Sequence, residues 1–217
     1  MNLHLYFCPG TCSFVAHLAL ELAKESSGQD YQSTLINLRN GDHLKPEFKA
    51  INPRMQVPAL QVDGQLLTQL IAIIEFIDTT FPQAHIFPKN AFEKAEALST
   101  LAWMNNTVHP TFTRIFRPER FGGDQAKDAV KAVALESFKS YLAEIDSMTV
   151  SKEYICGNML TPADIYAIAF IRWAGMAGID PSQYQNYQKY VQKLVQKPVV
   201  KRIMDKEQIN LDTYKTH

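Results

Sequence analysis

The chain has 217 residues, of which 46% are hydrophobic and 20% charged, and its 22 basic and 22 acidic side chains give a net charge of zero. This length suits one compact unit or two unequal ones, and the charge balance excludes the strongly basic surface expected of a nucleic-acid or anionic-membrane binder. The sequence has no apolar run approaching the length of a transmembrane helix, no signal-peptide pattern, and only three cysteines, an odd number that argues against a disulfide scaffold. We therefore expect a globular cytoplasmic protein with a small-molecule or protein partner.

The first 82 residues mix strand patterns with helix patterns. Asn2–Cys8 alternates apolar and polar side chains, which predicts a strand, and Ser13–Glu25 has helical spacing that ends at Gly28. The elements predicted next are a strand over 31–37, a short helix over 46–51, a hairpin of 57–62 and 65–67 turning at Asp63-Gly64, and a helix over 69–81.

Strand patterns end after Pro82. The stretch that follows contains prolines and is predicted to be a linker over 83–90. Only helix patterns follow, and they predict helices over 91–117, 124–147, 162–177, 184–195 and 198–206. The sequence thus predicts an α/β domain over 1–82 and an all-helical domain over 91–217.

Cys12 lies where the first strand has ended and the first helix begins. Helix amides and the helix dipole favour negative charge there, so we expect a thiol with a lowered pKa that attacks a disulfide or binds a thiol partner. The alternative is that Cys12 is a small buried hydrophobe. Cys8 forms a C-x3-C pair with Cys12 and not the C-x2-C of a dithiol redox site, so we interpret Cys8, and also Cys156, as structural.

Val57-Pro58 begins the third strand. Proline is disfavoured inside a strand, because it has no N–H to donate, unless it occupies the first position or follows a cis bond. A cis bond would leave the Val57 main chain free to pair with an extended peptide ligand.

The helical region contains one helix-capping motif and several candidate pocket residues. Thr161-Pro-Ala-Asp164 has the pattern of a capping box and predicts the start of a central buried helix. His109 is either a packing residue or, if the fold brings it near Cys12, an aid to proton transfer. Phe112 and Phe116 either line an apolar pocket or belong to the core. No metal-binding or nucleotide-binding motif is present in the sequence.

Together these motifs resemble the cytosolic glutathione S-transferases, over nearly the whole chain. The Asn52-Pro53 and Val57-Pro58 segment is specific for that superfamily, and Tyr6 to Ser13 is most similar to the bacterial beta class. The other segments that carry the resemblance are Leu67-Thr68-Gln69, Thr161 to Asp164 and Lys197-Pro198-Val199.

The resemblance implies a thioredoxin-like N-terminal domain followed by an all-helical domain, in a homodimer that works in detoxification. It implies that glutathione, as co-substrate, binds mainly the first domain, and that a small electrophile binds in the cleft between the domains. In that family the residue matching Cys12 can form a mixed disulfide with glutathione, and the residue matching His109 lies near its thiol. The resemblance implies these site residues: catalytic Cys12, Ser13 and His109, and substrate-binding Tyr6, Val57, Pro58, Thr68, Gln69, Leu70, Phe112 and Phe116.

Leu70 departs from the family pattern, which usually has Ser or Gly after the residue matching Gln69. If Leu70 faces the γ-glutamyl end of glutathione, the lost hydrogen bond to a charged group costs about 1.5 to 3 kcal/mol, unless Thr68 replaces it. A second departure, Arg54-Met55 where a glycine is frequent, lies in a loop outside the expected chemistry.

Three functions remain open from the sequence. The first is a transferase that conjugates the glutathione thiolate to a small apolar electrophile. The second is thiol/disulfide exchange with glutathione through Cys12 itself. The third is a non-catalytic dimeric binding module in which Leu70 marks weakened glutathione affinity.

Overall fold

The computed structural model describes residues 1–211, which form two compact units. The first unit holds Met1–Lys89 together with Lys197–Ile209, and the second holds Asn90–Gln196 with residues 210 and 211. The contacts therefore group the last helix with the first unit, whereas the sequence prediction assigned it to 91–217. The end of that predicted range, 212–217, lies outside the described residues.

The first unit is built on a four-stranded mixed sheet, as expected for a thioredoxin-like domain. Its elements are β1 (Leu3–Phe7), α1 (Ser13–Ser27), β2 (Gln32–Leu35), α2 (Pro46–Ile51), β3 (Ala59–Val62), β4 (Gln65–Thr68), α3 (Leu70–Thr80) and α9 (Pro198–Glu207). The strand order is β2-β1-β3-β4, in which β1 runs parallel to β2 and antiparallel to β3, and β3 runs antiparallel to β4.

The register of this sheet decides which loops come together. Tyr6 of β1 pairs with Ala59 of β3, and Ala59 pairs with Thr68 of β4. Because both pairs are antiparallel, the end of β1, the start of β3 and the end of β4 lie at one edge of the sheet. The three loops that the sequence singled out therefore meet there.

The apolar side chains that alternate along β1 form a buried face of the sheet. Leu3, Leu5 and Phe7 are buried on the same strand face, and α1 packs against both α3 and α9. Gly28 ends α1 with a φ of 73°, a conformation that glycine adopts without the steric cost other residues meet. The helix predicted over Ser13–Glu25, with Gly28 as its end signal, is confirmed.

The second unit contains helices only. They are α4 (Ala91–Trp103), a π-helical turn (Met104–Val108), α5 (His109–Phe116), α6 (Glu119–Met148), α7 (Pro162–Met176) and α8 (Gln185–Leu194). The helix predicted over 91–117 is confirmed, since residues 91–116 are helical throughout, but it contains a π-helical turn just before Pro110, which has no N–H to donate within the helix.

Helix α7 is buried along nearly all of its length, as its apolar sequence predicts. Its capping box is present: the main-chain N–H of Thr161 donates to the Asp164 carboxylate at 2.6 Å. Asp164 also accepts hydrogen bonds from the Tyr190 hydroxyl and from the main chain of Ile155. This buried carboxylate ties the start of α7 to α8 and to the preceding loop.

Within residues 1–211 no helix combines the length and the apolar composition needed to cross a bilayer. The same residues contain no cluster of three or more His, Cys, Asp or Glu side chains arranged to hold a metal ion.

Candidate active site

The loop between β1 and α1 is a turn closed by two hydroxyl side chains. Ser13 Oγ accepts from the Cys8 amide and donates to the Cys8 carbonyl, both at 3.0 Å, and Thr11 Oγ1 donates to the same carbonyl at 2.9 Å. Ser13 is fully buried. Its hydroxyl hydrogen bonds therefore stay inside the turn and fix the position of Cys12 at the start of α1.

Cys12 is the N-cap residue of α1 and has an exposed fraction of 8%. Burial raises the pKa of its thiol to about 12, although the Thr11 hydroxyl and the main-chain amides of Cys12 and Ser13 act to lower it. The expectation of a lowered pKa is thus wrong: the helix amides face the sulfur as predicted, but desolvation of the thiolate outweighs them. At neutral pH Cys12 is a protonated thiol, and it donates to the Val57 carbonyl at 3.5 Å.

The loop before β3 presents the main chain of Val57 beside Cys12. The Val57–Pro58 peptide bond is cis. Asn52 shapes this loop, since its Nδ2 donates to the Gln56 carbonyl at 2.8 Å and its Oδ1 accepts from the Arg54 amide at 3.1 Å. Val57 precedes the first ladder pair of β3, so its main chain lies outside the sheet pairing.

The junction of β4 and α3 has an unusual backbone. Gln69 is exposed and has φ 73° and ψ 122°, a conformation that non-glycine residues rarely adopt and that is concentrated at functional sites. Thr68 Oγ1 accepts from Arg54 Nη1 at 2.9 Å, which brings a cation to this junction. Leu70 has an exposed fraction of only 3% and belongs to the core.

Tyr6 packs on the face of β1 that covers α2. It is buried in a cluster with Ile36, Phe48 and Ala59, and its hydroxyl donates to Gln61 Oε1 at 2.9 Å. These contacts make Tyr6 part of the core of the first unit.

His109 begins α5 in the second unit. Its Nδ1 is 2.7 Å from the Tyr166 hydroxyl, and its ring lies 4.9 Å from the Trp173 ring. Burial lowers the pKa of His109 to about 4, so the imidazole is neutral at physiological pH.

Phe112 and Phe116 form a stack that leads from the core to the surface of the second unit. The Phe112 ring stacks on Trp173 at 4.5 Å and contacts the Phe116 ring at 4.7 Å. Phe112 is 8% exposed, whereas Phe116 is 45% exposed. Phe116 is thus the member of the pair that a ligand can reach.

Sequence reasoning missed the role of Glu207 in the first unit. Glu207, at the end of α9, is 2% exposed and accepts from the Gly10 amide at 2.9 Å and from His17 Nδ1 at 2.8 Å. It therefore anchors the loop that carries Cys12. Because Gly10 and Glu207 are 197 positions apart, no local pattern could have indicated the contact.

The structure thus brings Cys12, Ser13, Val57, Pro58, Thr68 and Gln69 to one edge of the sheet in the first unit. Tyr6 and Leu70 belong to the packed interior of that unit. In the second unit, His109 and Phe112 both contact the Trp173 ring, and Phe116 contacts Phe112.

Comparisons with known proteins agree with this geometry. The family model for the N-terminal domain of glutathione S-transferases matches residues 1–79, and the model for the C-terminal domain matches 103–198. Glutathione S-transferase GstA from Escherichia coli O157:H7 is 27% identical over 210 residues, which cover 94% of this chain and 98% of that protein.

Two solved structures extend the likeness to the fold. A glutathione transferase homologue from Sulfitobacter with bound glutathione has a TM-score of 0.86 and 25% identity, covering 96% of this chain and 99% of its own. The beta-class glutathione S-transferase of Sphingomonas chungbukensis has a TM-score of 0.80 and 29% identity, covering 94% and 98% of the two chains. Since the two family models together span most of the sequence, this chain belongs to the glutathione S-transferase family.

Proposed function

We propose that the protein conjugates the thiolate of glutathione to a small apolar electrophile. The observation that carries this function is the meeting of three loops at one sheet edge: the start of α1 at Cys12, the main chain of Val57 outside the sheet pairing, and the exposed Gln69 at the start of α3. Two helix N-termini and one free strand edge suit a tripeptide with an anionic sulfur and a charged γ-glutamyl end.

Each part of glutathione has a chemically matched partner in the first unit. The main chain of Val57 pairs with the peptide main chain, as in strand addition. The γ-glutamyl end binds at Thr68 and Gln69, where the N-terminus of α3 and the guanidinium of Arg54 supply positive charge. The sulfur lies at the start of α1.

Cys12 stabilises the glutathione thiolate as a hydrogen-bond donor. Its thiol proton now goes to the Val57 carbonyl at 3.5 Å, a weak contact that a bound thiolate can replace. The amides at the start of α1 add to this stabilisation, and the thiolate they hold is the nucleophile that attacks the electrophile.

The second unit contains an aromatic surface that suits a small apolar electrophile. Phe116 and Phe112 offer stacked aromatic rings, of which Phe116 is accessible. His109 lies beside the same Trp173 ring as Phe112 and is a neutral imidazole that can act on a ligand there.

The two other functions are less well supported. Exchange through Cys12 needs a Cys12 thiolate, and burial raises the pKa of that thiol to about 12. A binding module that has lost glutathione affinity was suggested by Leu70, but the burial of Leu70 gives that residue a packing role.

Two variants test the function. The wild type should be retained on immobilised glutathione and should conjugate glutathione to chlorodinitrobenzene. Cys12→Ser, which keeps a hydroxyl donor, should retain conjugation within about 10-fold. The control Cys156→Ser removes a thiol of the second unit and should match the wild type. Loss of conjugation in Cys12→Ser, with a glutathione mixed disulfide on Cys12 of the wild type by mass spectrometry, would instead support exchange.

We also propose that the protein is a cytoplasmic homodimer. The resemblance to the family is what supports the dimer, and Phe92 of α4 and Val133 of α6, at 72% and 69%, are the most exposed of the large apolar side chains in the described residues, so they are the first to test. Sedimentation velocity should give a dimer for the wild type and a monomer for Phe92→Glu. Val150→Glu, a change at a half-exposed residue of a loop, is the control and should remain dimeric.

A further inference from the structure

The chain enters α1 through a tight turn, Cys8-Pro-Gly-Thr11. The Thr11 amide donates to the Cys8 carbonyl at 3.3 Å, which closes a β-turn, and Gly10 in its third position has a φ of 65°. A positive φ in the third position, with proline in the second, identifies a type II turn. Type I and type II turns differ in the orientation of the central peptide group, which here joins Pro9 to Gly10.

Glu207 of α9 accepts a hydrogen bond from this central peptide group. The Gly10 amide is buried and donates to Glu207 Oε2 at 2.9 Å. Reversal of the peptide group would point the Pro9 carbonyl at the carboxylate, so that two acceptors would face each other. A bond to a charged acceptor is also stronger than a neutral hydrogen bond. Glu207 therefore favours the type II orientation.

The same carboxylate also holds helix α1. His17, in the second turn of α1, is 1% exposed, and its Nδ1 donates to Glu207 Oε1 at 2.8 Å. Gly10 precedes Cys12 in the sequence and His17 follows it. The two oxygens of the carboxylate therefore bind the chain on both sides of the cysteine, and all of these residues lie in the first unit.

The turn and the helix share Thr11. Its carbonyl accepts from the Phe14 amide at 3.1 Å in the first turn of α1, and its hydroxyl donates to the Cys8 carbonyl at 2.9 Å. Although burial dominates the pKa of the Cys12 thiol, the Thr11 hydroxyl acts to lower it. A change in the turn therefore alters both the first turn of α1 and a hydroxyl that interacts with the Cys12 thiol.

We propose that Glu207 is a positioning residue, which holds the Pro9–Gly10 peptide group in the type II orientation and thereby directs Cys12 and the first amides of α1 at the glutathione sulfur. This inference rests on the proposed binding of glutathione to the first unit. Glu207 transfers no proton and acts only through the turn. Loss of the carboxylate should therefore weaken the stabilisation of the glutathione thiolate and leave the binding of the rest of the tripeptide unchanged.

Proton NMR of the turn tests the orientation of the peptide group without any use of activity. In a type II turn the Hα of the second residue lies close to the amide proton of the third. We therefore expect a strong Overhauser effect from Pro9 Hα to the Gly10 amide in the wild type. In Glu207→Leu, which has no acceptor, this effect should weaken. A weak effect in the wild type, or an equally strong one in Glu207→Leu, would overturn the inference.

Titration of bound glutathione tests the functional consequence. The ultraviolet absorbance of the thiolate gives the pKa of the glutathione thiol in the complex. This pKa should be about one unit higher in Glu207→Leu than in the wild type, which lowers the thiolate fraction, and with it kcat/KM, by about 10-fold at a pH below both values. The loss should disappear at a pH above both values. An unshifted pKa would show that Glu207 does not act on the sulfur.

The control Ile203→Ala separates positioning from stability. Ile203 of α9 is fully buried, so its truncation also destabilises the packing of this helix, but the variant keeps the carboxylate that binds Gly10. Ile203→Ala should keep the wild-type pKa of the bound thiol, and Glu207→Gln, which retains one acceptor oxygen, should give an intermediate value. Glu207→Gln carries all the measurements if Glu207→Leu does not fold. Equal pKa shifts in Ile203→Ala and the Glu207 variant would assign the effect to stability and refute the inference.

Binding of S-methylglutathione separates a failure of this inference from a failure of the proposed function. This thioether has no thiol to ionise, so calorimetry should give the same dissociation constant for the wild type and for Glu207→Leu. A lack of binding to the wild type would refute the proposed function, while the Overhauser effect would still report the orientation of the turn. Weaker binding in Glu207→Leu alone would mean that Glu207 shapes the whole glutathione site, which contradicts a role limited to the sulfur.

Discussion

Replacing Glu207 by Gln should loosen the loop that carries Cys12. The Glu207 carboxylate is buried at the end of α9, where it accepts from the Gly10 amide at 2.9 Å and from His17 Nδ1 at 2.8 Å. Gln has the same shape but only one acceptor oxygen and no charge. The substitution therefore tests the electrostatic contact with little change in packing.

The cost follows from these two contacts. A hydrogen bond to a charged group contributes about 1.5 to 3 kcal/mol and a neutral one about 1 kcal/mol. In Glu207→Gln one bond becomes neutral and the other is lost, unless His17 changes its tautomer to accept from the new amide. We expect a destabilisation of about 2 to 4 kcal/mol. Glu207→Ala removes both of these hydrogen bonds and should cost about 3 to 5 kcal/mol, since each contributes about 1.5 to 3 kcal/mol.

Urea unfolding at neutral pH measures this difference. With slopes of about 1 to 3 kcal/mol per molar urea, 2 kcal/mol moves the midpoint by roughly 1 M. The control is Glu25→Gln. The Glu25 side chain of α1 forms an ion pair with Arg202, which lies on α9 as Glu207 does, but both side chains are about half exposed. Exposed ion pairs of this kind contribute less than about 1 kcal/mol. Hydrogen exchange of the Gly10 amide should also accelerate in Glu207→Gln only. An unchanged Gly10 exchange rate, or equal midpoint shifts in the two variants, would refute the reasoning.

Two further predictions concern Leu70 and His109. Because Leu70 is buried, Leu70→Ser should destabilise the fold by about 2 to 4 kcal/mol and should not tighten glutathione binding. Calorimetry with glutathione well below the melting temperature measures the binding. A 10-fold tighter dissociation constant would mean that Leu70 faces the ligand. For His109, burial lowers the pKa from 6.5 to about 4 in the folded state, so the unfolded state takes up a proton first as the pH falls. The His109 contribution to stability should be fully present above pH 6.5 and should decrease by up to about 3 kcal/mol toward pH 4. The free energy of unfolding of His109→Gln should not show this loss. Equal dependence of the unfolding free energy on pH in the two proteins would disprove the prediction.

Local sequence patterns predicted most elements of this fold. Gly28 ends α1 and the Thr161–Asp164 capping box starts α7, because both signals act within a few residues of the chain. The π-helical turn before His109 also has a local cause, since Pro110 cannot donate within a helix, and a stricter use of that rule would have indicated a change of winding inside the helix predicted over 91–117.

The directions of two predicted ligand residues could have been read from periodicity. Tyr6 alternates with Leu5 and Phe7 along β1, so it must face away from the side that those residues bury. Leu70 belongs to the apolar stripe of its own helix, together with Ile73, Ile74 and Ile77. For Leu70 the family pattern suggested a ligand role, whereas the period of its helix indicated the core. For Tyr6 the period gives only the sheet face, and its burial comes from the residues that cover that face, Ile36, Phe48 and Ala59.

Two other features depend on contacts between distant parts of the chain. The thiol of Cys12 is desolvated by the tertiary structure around it, including the Val57 loop 45 positions away. Glu207 reaches Gly10 from the last helix of the described chain. The sequence near Cys12 shows the amides that lower a thiol pKa, but it does not show the burial that raises it.

The high pKa of Cys12 favours conjugation over exchange for an electrostatic reason. A thiolate on Cys12 would be an anion next to the glutathione sulfur, and two like charges 4 Å apart repel by about 4 kcal/mol at an effective dielectric constant of about 20. That repulsion would raise the pKa of the glutathione thiol and remove the nucleophile. In the proposed function, a Cys12 that stays protonated, in keeping with its pKa of about 12, instead donates its proton toward the bound sulfur and lowers the pKa of the glutathione thiol. On this proposal, the burial that makes Cys12 a poor nucleophile is what allows it to assist the nucleophile of glutathione.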